Sequence, residues 1–145
     1  MPRYSSGALT TAGSTTLPII SLYAGSGAGG AIREISVSNT TTTAVAIRLV
    51  RLTSTGTQGT GLTEAKYDPN SATASCAAFN THSANPSLGD DLGYRVVLGS
   101  AIGSTIIWTF GDVGLRIQAG TSNGVGVIVE NGTGQACQAY IVWDE

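Results

Sequence analysis

A chain of 145 residues suffices for one domain with a full core and is too short for two. Only 11% of it is charged and the net charge is −2, so it lacks the basic footprint of a nucleic-acid or anionic-membrane binder. With 41% hydrophobic residues and 20 glycines it is not a disordered composition either; small residues among β-branched ones suit many short strands joined by tight turns.

Met1 to Thr16 is polar and turn-rich, with Arg3 and Tyr4 as its largest side chains. It has no apolar core of a secretory signal, and no later run approaches the ~20 apolar residues of a membrane span, so a soluble product made in the cytoplasm is expected. The stretch fits an extended arm that reaches a partner, or a strand on the domain's own edge. The division adopted is an N-terminal arm over residues 1–16 and a single domain over 17–145.

Leu17 to Ala24 is the first firm strand, with Pro18 marking an edge or a strand start. Gly25 to Gly30 matches G-x-G-x-x-G after a strand, but the dinucleotide fingerprint needs a helix next. Ile32 to Ser38 instead alternates Ile35 and Val37 with polar residues, and Thr40 to Thr43 oppose a long helix. The glycines therefore read as a flexible hairpin loop. Ala44 to Leu52 is the next strand, expected to form a hairpin with Ile32 to Ser38 through the threonine run. Gly56 to Gly61 has P-loop spacing, yet Leu62 stands where the phosphate-binding Lys must be.

Leu62 to Tyr67 is a short strand and Asp68-Pro69-Asn70 a turn. Ser71 to Ser87 is the least regular region; it fits a strand at Ser75 to Phe79 or a short helix. It holds His82, the one histidine, six residues after Cys76, so nucleophilic or multi-histidine metal chemistry would have to pass through that residue; a surface loop His beside a core Cys is the preferred reading. Asp90 and Asp91 fit a turn in which they accept backbone hydrogen bonds, and a calcium site from Asp90, Asp91 and Asp112 lacks a recognisable loop.

Tyr94 to Leu98 opens a β-rich final third with strands at Ser104 to Phe110, Leu115 to Ala119, Val125 to Glu130 and Ala136 to Trp143, the turns falling at Gly111-Asp112 and Ser122-Asn123-Gly124. Val125, Val127 and Val129 share one face while Ile128 takes the other, and the last strand is apolar on both sides. Such strands are covered on both faces, and in a small chain another subunit is an available second cover. No 3.6-residue stripe occurs. Eight to ten short strands with turns at this spacing predict an all-β fold, an antiparallel β-sandwich of jelly-roll type. Cys76 and Cys137 fit two buried thiols or one disulfide.

The opening Met1 to Gly7, the segment Leu52 to Leu62, Ile107 to Asp112 and the ending Val142-Trp143-Asp144-Glu145 resemble small virion proteins of tailed bacteriophages, diffusely and over most of the length. The resemblance implies a capsid decoration (cement) protein: a β-sandwich, commonly trimeric, on the outer surface of the capsid, with the major capsid protein and copies of itself as partners. The residues themselves show no catalytic set, so no enzyme activity and no cofactor are expected, and the charge and hydropathy point to neither nucleic acid nor membrane as a partner. On the decoration reading Arg3 and Tyr4 anchor the arm to the capsid or a neighbour, Arg and aromatic residues being favoured anchors, and Tyr140, Val142 and Trp143 are candidates for subunit packing, although Trp143 suits the core better. The alternative is a carbohydrate-binding module of a phage fibre or tail, with Trp108, Tyr23 or Tyr67 as stacking platforms. A third reading, a glycosidase, would pair Asp112 with Glu130 across a cleft.

Overall fold

Along nearly the whole chain β-branched and aromatic residues alternate with small polar ones, and the computed structural model, which describes all 145 residues, resolves this pattern into twelve strands and no helix. They are β1 (Arg3–Leu9), β2 (Ile20–Tyr23), β3 (Gly30–Asn39), β4 (Val45–Leu52), β5 (Gly61–Leu62), β6 (Ala65–Lys66), β7 (Ala77–Phe79), β8 (Leu88–Leu98), β9 (Thr105–Thr109), β10 (Leu115–Ile117), β11 (Gly124–Asn131) and β12 (Cys137–Asp144).

Every pairing is antiparallel, and the strands form two sheets. Sheet A runs β10-β3-β12-β1-β6, with β9 also on β3; sheet B runs β5-β7-β2-β11-β4-β8. Strands from the two ends of the chain pair in nested order: β1 with β12, β2 with β11, β3 with β9 and β10, β4 with β8. Successive pairs alternate between the sheets, and β3 lies beside β12 as β4 lies beside β11. This double ribbon wound across two facing sheets is the jelly-roll arrangement. One consequence corrects the expected hairpin: β3 and β4 lie in different sheets, and the threonine run arches between them. Asn39 fixes that arch, its amide nitrogen donating to the carbonyls of Thr43 (2.7 Å) and Gly99 (3.0 Å).

A second correction concerns Gly111-Asp112. β9 and β10 both run antiparallel to β3, Thr109 opposite Glu34 and Leu115 opposite Ile32, so they are two parts of one line interrupted by a looped-out segment. Gly111 (φ 64°) and Gly114 (φ 74°) supply the left-handed backbone where the chain leaves and rejoins that line. Gly25 to Gly30, between β2 and β3, and Ser122-Asn123, between β10 and β11, likewise cross between sheets rather than closing hairpins. Asp90 and Asp91 lie within β8, not in a hairpin turn. The register there slips between Arg48↔Arg95 and Val50↔Asp91, and Asp91 Oδ1 holds the resulting bulge by accepting from Gly93 N at 2.8 Å.

The inner faces enclose a core of 23 buried residues, among them Tyr4, Ile35, Val37, Ile47, Leu49, Trp108, Val125, Val127, Val129, Ile141 and Trp143. The outer face of β11 is covered by the chain itself and not by another subunit: Ile128 packs with Tyr23, Val50 and Leu52. At Gly126 a Cβ would stand 3.1 Å from Pro18 and 3.0 Å from Leu52, so Pro18 packs closely on the sheet at a position without a side chain.

Candidate functional site

The residues expected to face a partner are held inside the domain. Met1 to Thr16 is not a free arm: Arg3–Leu9 is a strand with β12 on one side and β6 on the other, so the sandwich begins at the N-terminus and not at residue 17. Alternation turns Tyr4 inward, where it is 1% exposed, stacks on Trp143 with centroids 5.7 Å apart and donates its hydroxyl to the Ala72 carbonyl at 2.9 Å. Trp143 is fully buried and donates Nε1–H to Glu145 Oε1 at 3.1 Å, so neither ring is available for a neighbour. Arg3 points outward, but its guanidinium is engaged by Asp144 (2.6 Å), which also takes Arg33 (2.6 Å). These arginines, Arg3 first, hold the Asp144 carboxyl below the usual carboxylate range. Val142 is buried between Ser5 and Glu34 in register, and Tyr140, half-buried beside it, donates its hydroxyl to Glu34, which raises its pKa.

Cys76 and Cys137 are both buried and free, as the first of the two expectations had it, and the alternative disulfide is not formed. Cys76 Sγ lies against Gly30 at the start of β3, whereas Cys137 pairs with Asn39 at its end. Those ends are roughly 30 Å apart at ~3.3 Å per residue, far beyond disulfide reach. Burial pushes both thiols up to about 11, which leaves them poor nucleophiles. His82 is not a surface loop residue. It is buried, with Nε2 2.9 Å from Ser21 Oγ, its Nδ1 meets no side-chain partner, and burial lowers its pKa. Ser21 is itself fully buried, so the pair is closed to substrate. The Glu130 carboxylate is bound to Arg95 on the outside of sheet B, whereas Asp112 sits in the looped-out segment of sheet A, so they do not flank a common cleft. No three His, Cys, Asp or Glu residues gather as a metal site. Among the sugar platforms, Trp108 and Tyr23 are buried and only Tyr67 is exposed.

Two features escaped sequence reasoning. The first is an asymmetry of the margins: the strands expected at Leu62 to Tyr67 and Ser75 to Phe79 form as β5, β6 and β7, and they extend both sheets beyond β1 and β2. No such cover exists at the opposite margin, where β8 and the β9–β10 line end the sheets. Tyr94 seals the gap there, edge-on to Trp108 (6.0 Å) and Phe110 (5.1 Å). In the same stretch of chain Val97 (66% exposed), Ile102 (71%), Ile107 (53%) and Val113 (70%) stand in solvent. Five of the eight exposed large apolar residues therefore fall in the single stretch Tyr94 to Val113. Strand alternation explains the contrast within it: Trp108 enters the core and its neighbour Ile107 must point out.

The second feature is a cavity of about 560 Å3 at one end of the sandwich, between β4 of sheet B and β10 of sheet A, with β8 at its rim. Arg51 crosses from β4 to donate to the Arg116 carbonyl on β10, and Arg116 opens into the same space. Arg3, Arg33, Arg48 and Arg95 all pair with carboxylates; Arg51 and Arg116 pair with none. With this geometry in hand, comparison with known proteins adds no name: no family model, no curated protein and no solved structure matches the chain.

Proposed function

We propose that the protein is a structural component of a virion, a capsid decoration protein of a tailed bacteriophage that binds the major capsid protein on the outer shell and associates with copies of itself, as a trimer. The observation that carries this reading is the uncovered β8/β9 margin. Both sheets end there in an open edge, and the stretch that builds this margin carries five exposed apolar side chains, Tyr94, Val97, Ile102, Ile107 and Val113, with Val97 on the outer face of sheet B and Ile107 on that of sheet A; exposed apolar side chains beside open edges are suited to docking against another protein surface. Low charge supports it, because close-packed copies repel one another little. The sequence resemblance supports the assignment to a phage shell. In this role the protein converts nothing: it binds the assembled lattice and not the dissociated subunits, and mass action then favours the intact shell.

The test uses particles stripped of the protein. Wild-type protein should sediment with them and raise their thermal stability, and a Val97→Asp, Ile107→Asp double variant that keeps its β-sheet circular dichroism should lose occupancy. Light scattering on the free protein should give an oligomer that the double variant dissolves. Unchanged occupancy together with a monomeric wild type would end the proposal.

A further inference from the structure

We infer that the cavity between β4 and β10 is a binding site for an acidic sugar, a ligand carrying one carboxylate and several hydroxyl groups. In a chain with so few charges, four of the six arginines are spent on carboxylates of the fold, and the two left over both line the cavity between β4 and β10. Arg51 is pinned by its bond to the Arg116 carbonyl, which uses one terminal nitrogen and leaves the other donors of its fork free. Arg116 is exposed with its guanidinium unpaired. Two guanidinium groups at one cavity suit a planar carboxylate, which accepts paired N–H bonds.

The remaining lining narrows the ligand class. Asp90 lies at the rim, exposed and bonded to no arginine, and as a carboxylate it only accepts hydrogen bonds. It would repel a bare inorganic anion. A polyhydroxylated acid offers it hydroxyl donors while presenting its own carboxylate to the arginines. Thr53, Gln118 and Asn123 add hydroxyl and amide groups that both donate and accept, as sugar hydroxyls require. Asn123 spends its amide nitrogen on the Ala119 carbonyl (2.9 Å), which leaves its oxygen as an acceptor. The volume admits one or two sugar rings. Particle attachment through the β8/β9 margin does not enter this argument, so either reading can fail alone.

The experiment is a titration of the free full-length protein with glucuronate, glucose and inorganic phosphate at low salt, followed by amide chemical shifts and calorimetry. Glucuronate should saturate, with shifts centred on residues 51–53 and 116–118, and bind at least about tenfold more tightly than either glucose or phosphate, the scale of one charge-assisted hydrogen bond. Arg116→Gln, a change at an exposed side chain, should keep the thermal transition and weaken glucuronate about tenfold or more; Arg51→Gln should do the same while also perturbing the β10 amides. Absence of saturation by glucuronate, phosphate binding as tightly as glucuronate, or full affinity in Arg116→Gln would each overturn the assignment.

Discussion

The two margins of this sandwich are built from contrasting residues, and each behaves opposite to its hydropathy. At the β1/β2 margin, polar, glycine-containing sequence is locked in place: β1 lies between β12 and β6, Tyr4 stacks on Trp143, and Arg3 and Arg33 converge on Asp144. At the β8/β9 margin, strongly apolar sequence is left exposed. The difference lies in residues 53–87, which bring extra strands to the first margin and none to the second. Which polar segment is structural and which apolar segment is free thus follows from what covers each edge, not from hydropathy.

The sharpest way to break this contrast is to delete Met1–Leu9. A free arm would be dispensable. Here the deletion strips β12 of a neighbour along seven register pairs and uncovers Trp143. The cooperative unfolding transition should vanish, and a truncated chain that keeps wild-type melting would refute the locked margin. Tyr4→Ala alone should cost about 3–5 kcal/mol, in line with other buried aromatic truncations. Trp108→Ala should cost a similar ~3–5 kcal/mol in urea unfolding, because Trp108 carries the open margin's contribution to the core and anchors Tyr94.

How far the sequence discloses this is visible residue by residue. Alternation in Val125 to Val129 and Ala139 to Trp143 predicted the faces correctly, since period-two patterning is a local property. The sandwich follows from turn spacing and the lack of any helical stripe. Pairing partners did not follow. Gly111-Asp112 looks like a hairpin turn, and only the shared partner β3 shows that the strand resumes beyond it. Arg3 and Tyr4 suggested anchors by residue type, while their engagement by Asp144 and Trp143 joins opposite ends of the chain. The Arg51–Arg116 pair was illegible for a related reason: being unpaired is a property of the whole charge set in three dimensions.

Acid should loosen the locked regions in two steps. Burial keeps the His82 pKa below 6.5, so as pH falls through about 6.5 the unfolded chain takes up a proton that the native state refuses, and stability drops until the native value is reached. Asp144 has a native pKa below 3.8; its stabilisation is complete above that value and is lost as pH falls through the lower native one. Melting temperature should therefore decline between pH 7 and 5, and again in stronger acid. His82→Gln should flatten the first decline and Asp144→Asn the second. A wild-type melting temperature that rises or stays level between pH 7 and 5 would contradict the buried neutral histidine.

The smallest effect on stability falls at Ile107, next in sequence to Trp108 and turned the other way. Ile107→Ser removes apolar area that is already half in water, so unfolding should shift by no more than about 0.5 kcal/mol. Its effect should surface in association, where the same side chain would be desolvated against a partner. Light scattering across a concentration series, wild type beside Ile107→Ser, separates the two. If the substitution destabilises the fold as Trp108→Ala does, the alternation at β9 is misassigned; if it changes neither folding nor association, the open margin is merely tolerated exposure and the contrast between the two margins has no functional side.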